Sequence, residues 1–166
     1  YASADSTLNM HLFFDKLAIH ELTHNFQDPK NGETYSMSRW LEELHANMGL
    51  YAYFKVKRPQ ELAHIMTLLD FSINNPPPGL KFSGLTDFDT HYFEMQPANY
   101  GQYQMLFTKA AQDIIDSLGT DILKPLNDFI VKYDASYKDQ INIDAFKTVL
   151  AEEVHPYVVE VTNNFE

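Results

Sequence analysis

The sequence predicts a single, mostly α-helical domain with little β-structure, and two observations support this fold class. Apolar residues recur at intervals of three and four along most of the chain, the spacing of helices that bury one face. The 166 residues are 45% hydrophobic, enough for one domain with a substantial core. We predict a tail or linker over residues 1–7 and one helical domain over residues 8–166.

Local signals set the ends of about six expected helices. A proline at position 59 suits the first residue of a helix, and the glycine at 119 suits the residue after one. The segment 74–89 contains three consecutive prolines and predicts a long surface loop. Only YVVEV, at 157–161, alternates as a strand does. The helices are predicted over residues 8–26, 38–56, 59–71, 100–118, 120–133 and 142–154.

Composition excludes several classes of function. Lys and Arg total 12 against 23 Asp and Glu, a net charge of -11, so we expect no nucleic-acid partner. No apolar run reaches the roughly 20 residues of a membrane-spanning helix, so no span is expected. The chain has no cysteine, so histidines and carboxylates would have to hold any metal. The first residue is Tyr1 and not Met, which leaves the compartment undefined and export open.

Two histidines interrupt the apolar stripe of the first predicted helix. Phe13, Leu17, His20 and His24 follow spacings of four, three and four, so they share one face. A buried neutral histidine needs hydrogen-bond partners for both nitrogens. Two imidazoles one turn apart can instead point at a shared metal. The stretch HELTH at 20–24 has the pattern HExxH, in which a glutamate stands beside that metal.

The next predicted helix offers a third ligand. Catalytic zinc commonly takes three protein ligands, and Glu43 follows His24 after 18 intervening residues. The neighbouring Glu42 is the alternative candidate for the third ligand. Because consecutive helical residues point about 100° apart, only one of the two glutamates can face the metal. The spacing favours Glu43.

HExxH followed by 18 residues and Glu resembles the gluzincin metallopeptidases, in particular the aminopeptidase N and leukotriene A4 hydrolase family. Trp40-Leu41-Glu42-Glu43 matches their Trp-Leu-x-Glu phrase. The residues after it are more similar to the Glu-x-x-x-Asp of thermolysin-like and neprilysin-like gluzincins, with Asn47 at the Asp position. The resemblance covers about residues 12–155 and is most specific over 20–54.

The resemblance implies the helical, zinc-bearing part of a zincin-like metallopeptidase domain. It would carry one Zn²⁺ per chain and act on a peptide or protein substrate. His20, His24 and Glu43 would be the metal ligands, and Glu21 would act as general base on a metal-activated water. Asn47 would support a ligand histidine, more weakly than a carboxylate does.

The resemblance also implies a group that stabilises the oxyanion. In the aminopeptidase-like family this group is a tyrosine before a helix that ends in Leu-Gly. Tyr100 and Tyr103 are both candidates, with Tyr100 preferred, and a thermolysin-like arrangement would use His91 instead. The remaining histidines lack such context and are predicted to be surface or core residues: His11, His45, His64 and His155.

Gluzincins bind substrate along a β-sheet that precedes the HExxH helix, whereas 19 residues precede His20 here. We therefore expect upstream sequence or another domain to complete the cleft, and this segment alone to fold but to cleave peptides poorly. Two alternatives are a catalytically silent zincin-fold binding or structural module, and a hydrolase with a non-peptide substrate. Glu21 favours an enzyme, because a structural metal site has no use for a base.

Overall fold

The computed structural model describes residues 11–27, 38–134 and 142–165, and all regular structure in these ranges is helical. The mostly helical fold class is thus confirmed, but the predicted count of about six helices is too low. The predicted tail at 1–7 lies outside the described residues. The helices are α1 (His11–Gln27), α2 (Arg39–Lys57), α3 (Pro59–Asn74), α4 (Leu85–His91), α5 (Pro97–Leu118), α6 (Leu123–Asp134), α7 (Ile143–Glu153) and α8 (Pro156–Thr162).

The predicted helix ends agree with the structure where a proline or glycine marks them. Pro59 occupies the first turn of α3. Gly119 follows α5 with a φ of 78°, a left-handed conformation that favours glycine, and its N–H donates to the Ile115 carbonyl. At its other end α5 starts at Pro97, three residues before the predicted start at 100. None of the helices in the described ranges is long and apolar enough to cross a membrane.

Helix α4 was not among the predicted helices. It begins inside the predicted loop at 74–89 and ends two residues after it. Leu85 and Phe88 are buried three residues apart, so one turn is enough to dock this helix on the core. The proline run that predicted a loop ends at Pro78, before α4 begins. The loop prediction is therefore correct for residues 75–84 and wrong for residues 85–89, which belong to α4.

The predicted strand at 157–161 is also wrong, because these residues belong to α8. Pro156 lies in the first turn, and the His155 ring caps the helix by accepting the Tyr157 N–H at 3.1 Å. Val158 and Val161 are buried three residues apart, as one face of a helix requires. The alternation of residue types in YVVEV predicted a strand, although the same residues also have this helical spacing.

Helix α2 is the centre of the fold. It contacts α1, α3, α4, α5 and α6, and its side chains are buried around most of its circumference. A polar side chain on such a helix must find its partners within the protein, because burial without them is costly. The apolar core between α2 and α5 includes Trp40, Leu41, Leu44, Met48, Phe107, Ala111, Ile114 and Ile115.

Helix α4 supplies the N-terminal cap of α2. The Trp40 N–H, one of the first-turn donors that lack a partner within the helix, donates to Asp89 Oδ1 at 3.0 Å. Burial raises the pKa of Asp89 to about 7, although its backbone hydrogen bonds oppose the shift. The cap fixes the end of α2 from which Glu43 projects.

Helices α1 and α2 approach closely where Thr23 meets Gly49. The Thr23 side chain is buried, and its hydroxyl donates to the Ile19 carbonyl at 2.9 Å. A Cβ added at Gly49 would lie 2.3 Å from Thr23 Oγ1 and 2.8 Å from Thr23 Cγ2, closer than atoms can pack. A glycine at this position therefore lets α1, which carries His20 and His24 on either side of Thr23, lie against α2.

Replacing Gly49 with alanine should force the two helices apart and destabilise the protein by about 1–3 kcal/mol, the usual cost of overpacking. The matched control is Gly101→Ala in α5, where an added Cβ meets nothing within 4 Å. That change should be neutral or stabilising by up to about 1 kcal/mol, since alanine favours helix. Urea unfolding of both variants measures the difference.

Adding Thr23→Ala to the Gly49→Ala variant removes the two shortest contacts and should restore most of the lost stability. If Gly49→Ala unfolds at the same urea concentration as the wild type, the close approach of α1 and α2 is not a feature of the protein.

Candidate metal centre

Two imidazoles from α1 and one carboxylate from α2 converge on a single point. His20 Nε2 lies 3.1 Å from Glu43 Oε2 and 3.2 Å from His24 Nε2. His24 Nε2 lies 3.8 Å from the same carboxylate oxygen. Among the described residues, these three are the group of His, Asp and Glu side chains that could share a metal ion. The structure therefore brings together the three side chains that the sequence predicts as metal ligands.

The spacing of these atoms fits a tetrahedral cation. With bonds of about 2.0–2.1 Å to nitrogen and oxygen, tetrahedral ligand atoms lie about 3.3 Å apart. The three observed separations, 3.1, 3.2 and 3.8 Å, bracket that value. These separations are therefore compatible with three side chains that share one cation.

The protonation of His24 also fits a metal ligand. Its Nδ1 lies 2.6 Å from Gln27 Oε1, which can only accept a hydrogen bond. Nδ1 of His24 therefore carries the proton. In the neutral ring this leaves a lone pair on Nε2, the nitrogen that faces His20 and Glu43. An unprotonated nitrogen is what metal ligation requires.

The carboxylate of Glu43 is buried and surrounded by hydrogen-bond donors. Gln104 Nε2 donates to Oε2 at 2.8 Å, and the hydroxyls of Tyr92 and Tyr100 donate to Oε1 at 3.1 and 3.2 Å. Burial alone would raise the pKa of Glu43, but hydrogen bonds from His20 and Gln104, together with the two nearby imidazoles, hold the pKa below its ordinary value. A bound cation would replace the proton that His20 Nε2 donates here. The site thus keeps a negative charge at neutral pH.

Asn47 supports this carboxylate indirectly. Its Nδ2 donates to the Glu43 carbonyl and to Gln104 Oε1, both at 2.8 Å, and its Oδ1 accepts from the Thr108 hydroxyl at 2.8 Å. These bonds orient the Gln104 amide so that its nitrogen faces Glu43. The resemblance implied support of a histidine, whereas the structure places Asn47 behind Glu43.

Glu21 occupies a different position from the three convergent side chains. It is exposed, and it lines a cavity of about 330 Å³ between α1, α2, α3 and α5. His20 lines the same cavity, so Glu21 borders open space beside the candidate ligands. Much of the remaining wall is apolar, formed by Leu17, Leu50, Ile65, Leu68, Leu69 and Met105.

The two candidate tyrosines separate in the structure. Tyr100 reaches Glu43 and lines the cavity. Tyr103 does not join it, because its side chain is 1% exposed in the core and its hydroxyl donates to the Gly84 carbonyl at 2.8 Å. His91 also lies elsewhere, with its ring stacked on Phe82 at 4.4 Å.

Several residues of the site carry no motif in the sequence. Gln27 and Gln104 each follow a candidate residue by three or four positions on the same helix, which is the only local signal for them. Tyr92 lies on the short 3₁₀ helix after α4, and no spacing connects it with Glu43. His45, predicted to be a surface or a core histidine, is buried, and burial lowers its pKa to about 4.

Comparisons of the chain with protein-family models, with curated proteins and with solved structures give no match. The resemblance to gluzincins therefore rests on the residues of this chain, namely the HExxH pattern and the spacing to Glu43. The convergence of His20, His24 and Glu43 across two helices is a second observation, drawn from geometry.

Proposed function

We propose that this chain is a zinc-dependent peptidase in which His20, His24 and Glu43 hold Zn²⁺. The observation that carries this proposal is their convergence beside a cavity that His20 and Glu21 line. Two imidazoles and one carboxylate form a known ligand set for catalytic zinc. When bound, zinc supplies the positive charge that acidifies water and polarises a carbonyl group.

Glu21 is the general base of this proposal. It follows His20 on α1, and its exposed carboxylate borders the cavity in which a substrate would lie. A carboxylate in this position can take a proton from water and return it to the leaving amine. A purely structural metal site would gain nothing from such a group.

Tyr100 is the donor that we assign to the oxyanion. Burial, reinforced by the negative charge of Glu43, raises the pKa of Tyr100 above its ordinary value. The phenol therefore keeps its single proton, which it donates to Glu43 in this structure and would redirect toward the cavity to stabilise an oxyanion. Tyr92 also donates to Glu43, but it is Tyr100 that lines the cavity.

The cavity and the charge of the chain suggest the substrate class. An apolar wall beside the ligands suits a large apolar side chain next to the cleaved bond. The net charge of -11 favours the approach of neutral or basic peptides over acidic ones. A quenched-fluorescence peptide library with Leu and Phe at successive positions is the appropriate probe.

Replacing Glu21 with glutamine should abolish most hydrolysis of such peptides while leaving zinc bound. Loss of a general base typically costs about 10²–10⁴-fold in rate, and Glu21 is not among the convergent ligands. Glu152→Gln, at an exposed position on α7, is the matched control and should behave as the wild type. The rate and the zinc content are measured on the same preparations.

A Glu21→Gln protein with near wild-type turnover would exclude this mechanism. Slow turnover by the zinc-loaded wild type is what we expect of this segment, whereas no turnover above the metal-free background would favour the alternative, a zinc-stabilised binding or structural module.

Replacing Tyr100 with phenylalanine should lower kcat by about 10²–10³-fold, the usual effect of removing one oxyanion donor. Tyr103→Phe is the control, since its hydroxyl bonds to the Gly84 carbonyl and not to Glu43. This control should lose stability, by about 1 kcal/mol for one hydrogen bond, and little kcat. A larger loss of kcat in Tyr103→Phe than in Tyr100→Phe would contradict the assignment.

A further inference from the structure

We propose that Gln27 and His45 form a hydrogen-bonded relay that fixes the tautomer and ring orientation of His24. This inference rests on the proposed metal site. Gln27 is the last residue of α1, and His45 lies on α2. The role of both residues is to position a ligand, and neither belongs to the HExxH pattern.

The orientation of the Gln27 amide is set by a backbone carbonyl. Gln27 Nε2 lies 2.8 Å from the carbonyl oxygen of Glu42, which can only accept. The amide nitrogen must therefore face this carbonyl. Its second proton is directed to His45 Nδ1 at 2.9 Å. Gln27 Oε1 is left to face His24, where it accepts from Nδ1 at 2.6 Å.

The His45 ring completes the relay. Because its Nδ1 accepts from Gln27, its proton lies on Nε2, which donates to the Leu123 carbonyl at 3.2 Å. Each donor in the relay thus meets one acceptor, and both ends are fixed by backbone carbonyls. Reversing any one group would leave two donors or two acceptors facing each other.

His24 needs this support more than His20 does. The side chain of His24 is 29% exposed, compared with 8% for His20, so packing constrains its ring less. The relay compensates by directing the protonated Nδ1 toward Gln27 and the lone pair of Nε2 toward Glu43. It also ties the end of α1 to α2 and to the first residue of α6, Leu123.

The relay is tested by zinc affinity, measured by competition with a chromophoric chelator. Gln27→Met, which keeps the shape of the side chain but not its polar groups, should bind zinc about 10–100-fold more weakly, as is usual for residues behind a metal ligand. His45→Phe should weaken binding in the same direction, although His45 acts on His24 only through Gln27. Gln60→Met, at an exposed position on α3, is the control and should not change the affinity.

The tautomer of His24 is a second readout that requires neither turnover nor zinc. Long-range ¹H–¹⁵N correlation spectra of the zinc-free wild type should show the proton on Nδ1, and Gln27→Met should lose this preference. A wild-type His24 protonated on Nε2 would overturn the relay, as would a folded Gln27→Met variant with unchanged zinc affinity. Wild-type protein that refuses zinc but carries the Nδ1 proton would instead overturn the proposed metal site.

Discussion

A carboxylate buried on the central helix is the constraint around which the site is arranged. Glu43 is 5% exposed on α2, and moving an ionised carboxylate out of water costs several kcal/mol unless charges and hydrogen bonds compensate. Tyr92, Tyr100 and Gln104 supply these bonds from two further segments, and α1 supplies two histidines. A single side chain thus couples the positions of several elements, and a bound cation would add the largest compensating charge.

The sequence predicted the long helices well because each carries several turns of apolar spacing. It missed α4 and α8 because each has seven residues, too few for a periodic signal to exceed the local turn and strand signals. Helical spacing also fails to identify the buried face of α1. Leu22 and Phe26 repeat at a helical interval, yet they are 53% and 66% exposed. Spacing shows which residues share a face and not which face the described part of the fold covers.

The candidate ligands could be predicted from the sequence. His20 and His24 lie one helical turn apart, and Glu43 lies on the next helix, which packs against the first. The residues that support these ligands could not be predicted, since Tyr92 and His45 reach the site only through tertiary packing. Spacing alone could not distinguish Tyr100 from Tyr103. Two side chains three positions apart on a helix point about 60° away from each other. This difference places Tyr100 at the cavity and Tyr103 in the core.

Whether Glu43 is a zinc ligand is decided by the zinc dissociation constants of the wild type, Glu43→Gln and Glu42→Gln. Glutamine preserves the size of each side chain and removes its charge, so the comparison isolates the buried carboxylate. We predict that the wild type and Glu42→Gln each bind about one Zn²⁺ per chain, and that Glu43→Gln binds it far more weakly. A wild type that binds no zinc, or a Glu42→Gln variant that loses more affinity than Glu43→Gln, would show that Glu43 is not the zinc ligand.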